Sequence, residues 1–174
     1  MNTVMKIIFT IPILALALIL NLPVFAIEAK LLGEYGDWSA FKEFDGKKPI
    51  CYMGAQPRKS HGKYKKRGET YLLITHRPVE KIFSVASYKA GYNFLKNSEL
   101  KITIDEKNFK FFTDGGHAFA YDKKTDISLI KSMIRGKTMI VKGISSRGTK
   151  TTDSYSLKGV SASWKAINKA CNKK

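Results

Sequence analysis

Carboxylates are scarce in this chain: 14 Asp and Glu stand against 31 Lys and Arg, a formal charge of +17. None of the few acids forms a spaced pair of the kind that glycoside hydrolysis requires. Histidine is scarcer still, and His61, His76 and His117 are scattered among expected strands and a loop. The two cysteines, Cys51 and Cys171, form no CxxC pair and have no histidines clustered beside them, which leaves redox catalysis and zinc binding without support. There is no HExxH, EF-hand or P-loop pattern. Gly143 to Gly148 is one residue too long for a GxSxG elbow and falls in an expected hairpin, not in a strand-to-helix turn. The chain therefore carries no metal, cofactor or enzyme signature. Only a hydrolase assembled in three dimensions, from a histidine with a serine or carboxylate, stays open.

Long apolar runs are absent too, except at the start. Lys6 precedes an almost wholly apolar block, Ile7 to Leu20, which Asn21 and Pro23 end before Val24-Phe25-Ala26. Its 14 residues fall short of the roughly 20 needed to span a bilayer. A positive start, a short apolar block and small residues at −3 and −1 predict a cleaved signal peptide over residues 1–26, with Ala29 as the alternative cleavage point. No later apolar stretch is long enough to span a membrane, and no linker or repeat divides residues 27–174, which are expected to form one domain. This part keeps 30 of the 31 basic residues and all 14 acids, a formal charge of +16. In an oxidising compartment an even cysteine count predicts a Cys51–Cys171 disulfide.

What is present is mainly β pattern. Leu100, Ile102 and Ile104 alternate with polar residues, and Phe109 and Phe111 repeat the alternation after a turn. Similar short runs occur at Trp38 to Phe41, Ile50 to Ala55, Tyr71 to Thr75, Ile82 to Ala86 and His117 to Tyr121, and on both sides of Gly148. About nine short strands punctuated by Gly, Asn and Asp turns predict an antiparallel β-sandwich or partly open barrel. Trp38 reads as a core anchor. Helical spacing appears twice. Asp126 is the expected N-cap of a helix over about 127–135, with Ile127, Ile130 and Ile134 on its inner face and Gly136 as its stop. A second helix over about 159–171 aligns Val160, Trp164, Ile167 and Cys171 on one stripe, ahead of a tail expected to be disordered.

The most polar stretch is Pro57 to Gly68, PRKSHGKYKKRG, with six Lys or Arg in twelve residues and no apolar period. It is expected to face solvent as a loop or extended hairpin tip. Arg58, Lys59, Lys63, Lys65, Lys66 and Arg67, joined by Arg147 from the later hairpin, are the candidate anion-binding residues. For an exported chain the polyanions within reach are lipopolysaccharide, anionic lipid headgroups or sulfated glycans, and no nucleic acid partner is expected. The competing reading is a solvated basic surface whose charge is incidental.

The stretch Ser146-Arg147-Gly148-Thr149-Lys150-Thr151-Thr152-Asp153-Ser154-Tyr155-Ser156-Leu157, followed by Gly159 and a helix to Cys171, resembles the invasion-associated locus B (IalB) family of exported bacterial proteins. Cys51-Tyr52, Gln56-Pro57, His76-Arg77-Pro78, Gly91-Tyr92 and Gly136 to Gly143 follow the same pattern in the same order. His117-Ala118-Phe119 departs from it, standing where an acid followed by Ala-Trp is expected. The resemblance implies an all-β, non-enzymatic domain that is periplasmic, surface-associated or secreted after Sec export, and a link to host-cell invasion. Two functions follow as expectations: a module that binds anionic envelope or host-surface components, or a periplasmic accessory protein supporting envelope integrity.

Overall fold

Period-two alternation of apolar and polar side chains builds one long sheet. The computed structural model describes residues 29–173, so the expected signal peptide lies outside the described residues. In chain order the elements are β1 (Lys30–Tyr35), β2 (Trp38–Asp45), β3 (Lys48–Ala55), β4 (Lys59–Gly62), β5 (Tyr71–Arg77), β6 (Ile82–Lys89), β7 (Glu99–Ile104), β8 (Lys107–Asp114) and β9 (His117–Ala120), then α1 (Lys123–Arg135), β10 (Thr138–Ile144), β11 (Lys150–Ser156) and α2 (Val160–Ala170). The strands join in the order β1-β2-β3-β5-β6-β9-β8-β7-β10-β11-β4. Every pairing is antiparallel.

The sheet curls back on itself. Trp38 opens β2, fully buried, and its indole Nε1 donates to the Ser156 carbonyl at the far end of β11, at 3.0 Å. Asp37 N–H donates to Lys158 O beside it. Inward side chains from both halves of the sheet thus share one core, including Met53, Ile74, Tyr88, Leu100, Phe111 and Tyr155. Of the β-sandwich and the partly open barrel expected from sequence, this single open, curled sheet matches the partly open barrel. It has eleven strands where nine were expected, and the two additions, β1 and β4, are its edges. An edge strand exchanges hydrogen bonds on one side only and needs no apolar face, so period-two patterning is weakest there. All four residues of β4 are exposed, and the basic segment expected to be a loop or extended hairpin tip is in part this edge strand, paired with β11.

Both helices occupy the expected places, with corrections to the first. Its N-cap is Asp122, whose carboxylate accepts from Thr125 N–H at 2.7 Å, and the helix begins a turn before the expected start. Asp126 lies inside the first turn, buried, and accepts from Ala86 N–H on β6 at 2.9 Å. This rotates the inner face to Asp126, Leu129, Ile130 and Met133, and leaves Ile127 and Ile134 partly in solvent. In α2, Val160, Ile167 and Cys171 are buried and Trp164 packs against the core, as the stripe predicted. Fully burying an aliphatic side chain of this size contributes about 1.5–3 kcal/mol.

Cys51 on β3 and Cys171, which caps α2, form the expected disulfide, their Cα atoms 6.0 Å apart. The residues just beyond are ordered, contrary to expectation: Lys173 N–H donates to Asn168 O at 2.9 Å, and its ammonium meets Ser84 Oγ and lies 4.4 Å from the Trp164 ring centre. His76, fully buried on β5, ties the same region together. Its Nδ1 accepts from Ser84 N–H at 3.0 Å, which leaves Nε2 protonated to donate to Asn168 Oδ1 at 2.9 Å.

Two measurements test this arrangement. The disulfide joins residues 120 positions apart. The chain-entropy contribution of such a loop is at most about 4–5 kcal/mol. Reduction should therefore lower Tm by roughly 5–15 °C; an unchanged Tm would contradict a stabilising disulfide. The second concerns pH. Burial pushes the Asp126 carboxyl up to about 6 from its ordinary 3.8, only partly relieved by the Ala86 hydrogen bond. Stability from this raised value is present below 3.8 and lost as pH rises through 6. His76 runs the other way. Burial holds its pKa below 6.5, despite the Asn168 hydrogen bond, so its contribution is full above 6.5 and declines as pH falls. Asp126→Asn should stabilise the fold by about 1–3 kcal/mol at pH 7. That gain should vanish by pH 4 in denaturant titrations, and a gain independent of pH would contradict the assignment.

Candidate functional site

Inward-facing positions of β11 are Thr151, Asp153 and Tyr155, polar residues at a parity that points into the core. A carboxylate without exposure must be answered by a positive partner and hydrogen bonds. Arg67, in the β4–β5 connection, supplies both. Its Nη1 and Nη2 donate to the two Asp153 oxygens at 2.7 and 2.8 Å, and its Nε donates to Ala90 O at 2.7 Å. Nη2 also reaches Tyr88 Oη at 3.1 Å, and the Tyr88 hydroxyl donates to Asp153 Oδ2. The Arg67 side chain is 6% exposed and that of Asp153 0%.

Charge states follow from this geometry. Burial alone would favour neutral Arg67, but the Asp153 hydrogen bonds and charge outweigh it and hold the guanidinium firmly protonated. Burial first, then Tyr155 and the Asp153 charge, push the Tyr88 phenol well above its ordinary range. Burial and Asp153 do the same to Tyr155. All three groups keep one protonation state at any physiological pH.

Three connections meet above this pair and enclose a cleft of about 710 Å³: Lys63 to Gly68, Gly91 to Asn93, and the β10–β11 turn from Ser145 to Thr149. They are hydrogen-bonded to one another. Gly68 N–H donates to Gly91 O at 2.9 Å, and Ser146 N–H to Asn93 O at 2.7 Å. Gly91 sits at φ +72°, and a Cβ there would lie 2.3 Å from Gly68 O, so only glycine allows the approach. In the turn, Gly148 sits at φ +80°. Tyr92 Oη and Thr151 Oγ1 are hydrogen-bonded across 2.6 Å, either hydroxyl able to donate. The Arg67 guanidinium lies 5.0 Å from the Tyr92 ring centre and 5.7 Å from that of Tyr64.

The cleft gathers Lys63, Lys65, Lys66, Arg67 and Arg147, five of the seven candidate residues, although Arg147 is about eighty positions from the rest. The other two stand apart. Arg58 pairs with Asp37 at 2.8 Å, and Lys59 lies on the exposed edge strand. Arg67 departs from expectation: its guanidinium is committed to Asp153, so it shapes the cleft and is not free to take an anion. Lys63, Lys65, Lys66 and Arg147 form no ion pair among the described residues, and no acidic residue lines the cleft. Sequence reasoning missed Asp153, Tyr88 and Tyr92. The available signal was a lone carboxylate at the same parity as Thr151, Tyr155 and Leu157, where an apolar residue would be ordinary.

Among the described residues no histidine, cysteine or carboxylate lines the cleft. His61 and His117 are exposed on separate strands, and His76 is enclosed by Ser84 N–H, Asn168 and the Phe83 and Trp164 rings. Among the described residues no group of three His, Cys, Asp or Glu could hold a metal ion. No helix in that span is long and apolar enough to cross a membrane. Fold and site together define a disulfide-linked β domain with a preformed cationic cleft. The chain belongs to the Invasion associated locus B (IalB) protein family, whose model matches residues 38–168. Its fold is similar to the crystal structure of invasion associated protein B from Bartonella henselae, at TM-score 0.54 and 14% identity, over 82% of this chain and 98% of that one. Among curated proteins no sequence relative matches.

Breaking the buried pair should be costly. Arg67→Met strands Asp153 and should lower stability by about 3–5 kcal/mol. Asp153→Asn should cost a comparable amount, whereas the double variant should cost less than the sum by about 1–3 kcal/mol. Additive losses in urea titrations would show that the two groups are not coupled.

Proposed function

We propose that this protein is an exported, non-enzymatic binding module whose cationic cleft contacts anionic components of the bacterial envelope or of a host-cell surface, and that through such contacts it contributes to host-cell invasion. The observation that carries the reading is the convergence of Lys63, Lys65, Lys66 and Arg147, cations without acidic partners, on one preformed cleft. Positive potential concentrated in a concave site raises the local concentration of anions and speeds their capture. The family name and the signal-peptide pattern in residues 1–26 support an exposed location, periplasmic, surface-associated or secreted. Lipopolysaccharide, anionic headgroups and sulfated glycans are the polyanions met there.

A second reading has an observation of its own. Arg67, the most buried cation of the basic segment, serves the core, which is how an accessory envelope protein with incidental charge would use it.

One comparison separates the two. Replacing Lys63, Lys65, Lys66 and Arg147 together by Gln should weaken heparin and lipopolysaccharide binding about tenfold or more at fixed ionic strength, and flatten its salt dependence. Replacing Arg58 and Lys59, which lie outside the cleft, should do far less. Equal small effects from both sets would favour the accessory reading. Fractionation of the producing cells checks the address, and recovery of the protein only from the cytoplasm would overturn it.

A further inference from the structure

The cleft walls say more than that the ligand is anionic. Facing the cations are side chains with free hydrogen-bonding capacity: Asn93, Ser146 and Thr149 make no side-chain hydrogen bond as donor or acceptor among the described residues. Their backbones, by contrast, are fixed by Ser146 N–H to Asn93 O and by Ser145 N–H to Thr149 O at 2.9 Å. The surface thus presents amide and hydroxyl groups, on a backbone held by hydrogen bonds, that can exchange solvent for a ligand. No Ala, Val, Leu, Ile, Met or Phe lines the cleft, so its apolar surface comes only from the Tyr rings and the stems of its Lys and Arg side chains. Of its two aromatic rings, Tyr92 is covered by Arg67 and by the edge contact of Phe94 at 5.3 Å, while Tyr64, with Gly62 against one side, stays 36% exposed. At about 710 Å³ the space suits a ligand of a few rings.

We infer that the cleft recognises an anionic saccharide, a short stretch of sugar carrying phosphate or sulfate esters, with Lys63, Lys65, Lys66 and Arg147 taking the ester oxygens and Asn93, Ser146 and Thr149 bonding the sugar hydroxyls. The inference rests on the reading of the cleft as an anion-binding site and adds the chemistry that selects among anions. Lysines take the tetrahedral esters as point charges, while Arg147 offers a planar fork. Sugar hydroxyls both donate and accept, which matches the donor and acceptor atoms of an amide and two hydroxyls. Either ester places the negative charge in the same tetrahedral geometry, so bacterial phosphosugars and host sulfosugars are two sources of one ligand chemistry.

Calorimetry at fixed ionic strength tests the inference with four probes: a sulfated heparin tetrasaccharide, a deacylated bisphosphorylated glucosamine disaccharide, inorganic polyphosphate, and phosphatidylglycerol vesicles. At least one saccharide should bind more tightly per charge than polyphosphate, and which one identifies the source. The neutral variants Asn93→Ala and Ser146→Ala alter no charge and no backbone hydrogen bond. Each should weaken the saccharide roughly three- to tenfold and leave polyphosphate unchanged. Equal loss for both probes, no loss for the saccharide, or tighter binding of vesicles would overturn the inference while leaving a cationic site standing. If the Lys63, Lys65, Lys66 and Arg147 quadruple variant also bound polyphosphate undiminished, the cationic site itself would fall.

Discussion

A carboxylate inside the core of a curled sheet is expensive unless two or more donors converge on it, and Asp153 sets that condition for the whole cleft end of the molecule. The answer comes from Arg67, 86 residues earlier, in a segment otherwise built to face water. The pair draws the β4–β5 connection down onto the sheet, anchors it to Ala90 O, and places its neighbours Lys65 and Lys66 at the cleft rim. One cation is consumed so that others are held in position. Because the pair is buried and bidentate, its geometry is fixed more firmly than any surface ion pair could fix it.

Much of the fold was legible because burial imposes periodicity. Leu100, Ile102 and Ile104, or Val160, Ile167 and Cys171, could only be read one way, and all six side chains are buried as their patterns required. What escaped the sequence lies where no periodic burial operates. β1 and β4, edges with little or no inward face, carry no alternation to detect. The start of α1 was misread because Asp122 and Asp126 are both credible caps, and only the contact with Ala86 N–H shows that the second is a core acceptor. At the site, charge composition pointed to the right segment, yet it could not separate Arg67 from Lys65 and Lys66. That distinction depends on Asp153, a tertiary partner, and not on any property of the basic run.

The cleft also sits within a larger electrostatic balance. Residues 27–174 carry a formal charge of +16, and self-repulsion at that charge works against the compact state. The cations at the rim share this repulsion without local relief, since the acids that could pair with them are elsewhere or buried. Anions held there would relieve it and stabilise the fold by linkage. The disulfide and the dense packing of α2 on the opposite sequence end of the sheet supply the stability that such an unneutralised surface requires.

Three contacts that define the architecture, Trp38 with Ser156, Arg67 with Asp153 and Cys51 with Cys171, join residues 118, 86 and 120 positions apart. In each, the later partner belongs to the last twenty-two residues. A chain delivered from its N-terminus therefore cannot close its barrel, bury its ion pair or oxidise its cysteines until almost all of it has arrived. Until then Cys51 has no partner in the chain and the Asp153 site does not exist. Such long-range closure makes for slow folding. The same arrangement leaves the polypeptide uncommitted while its earlier strands emerge, and commits it to one shape only at the end.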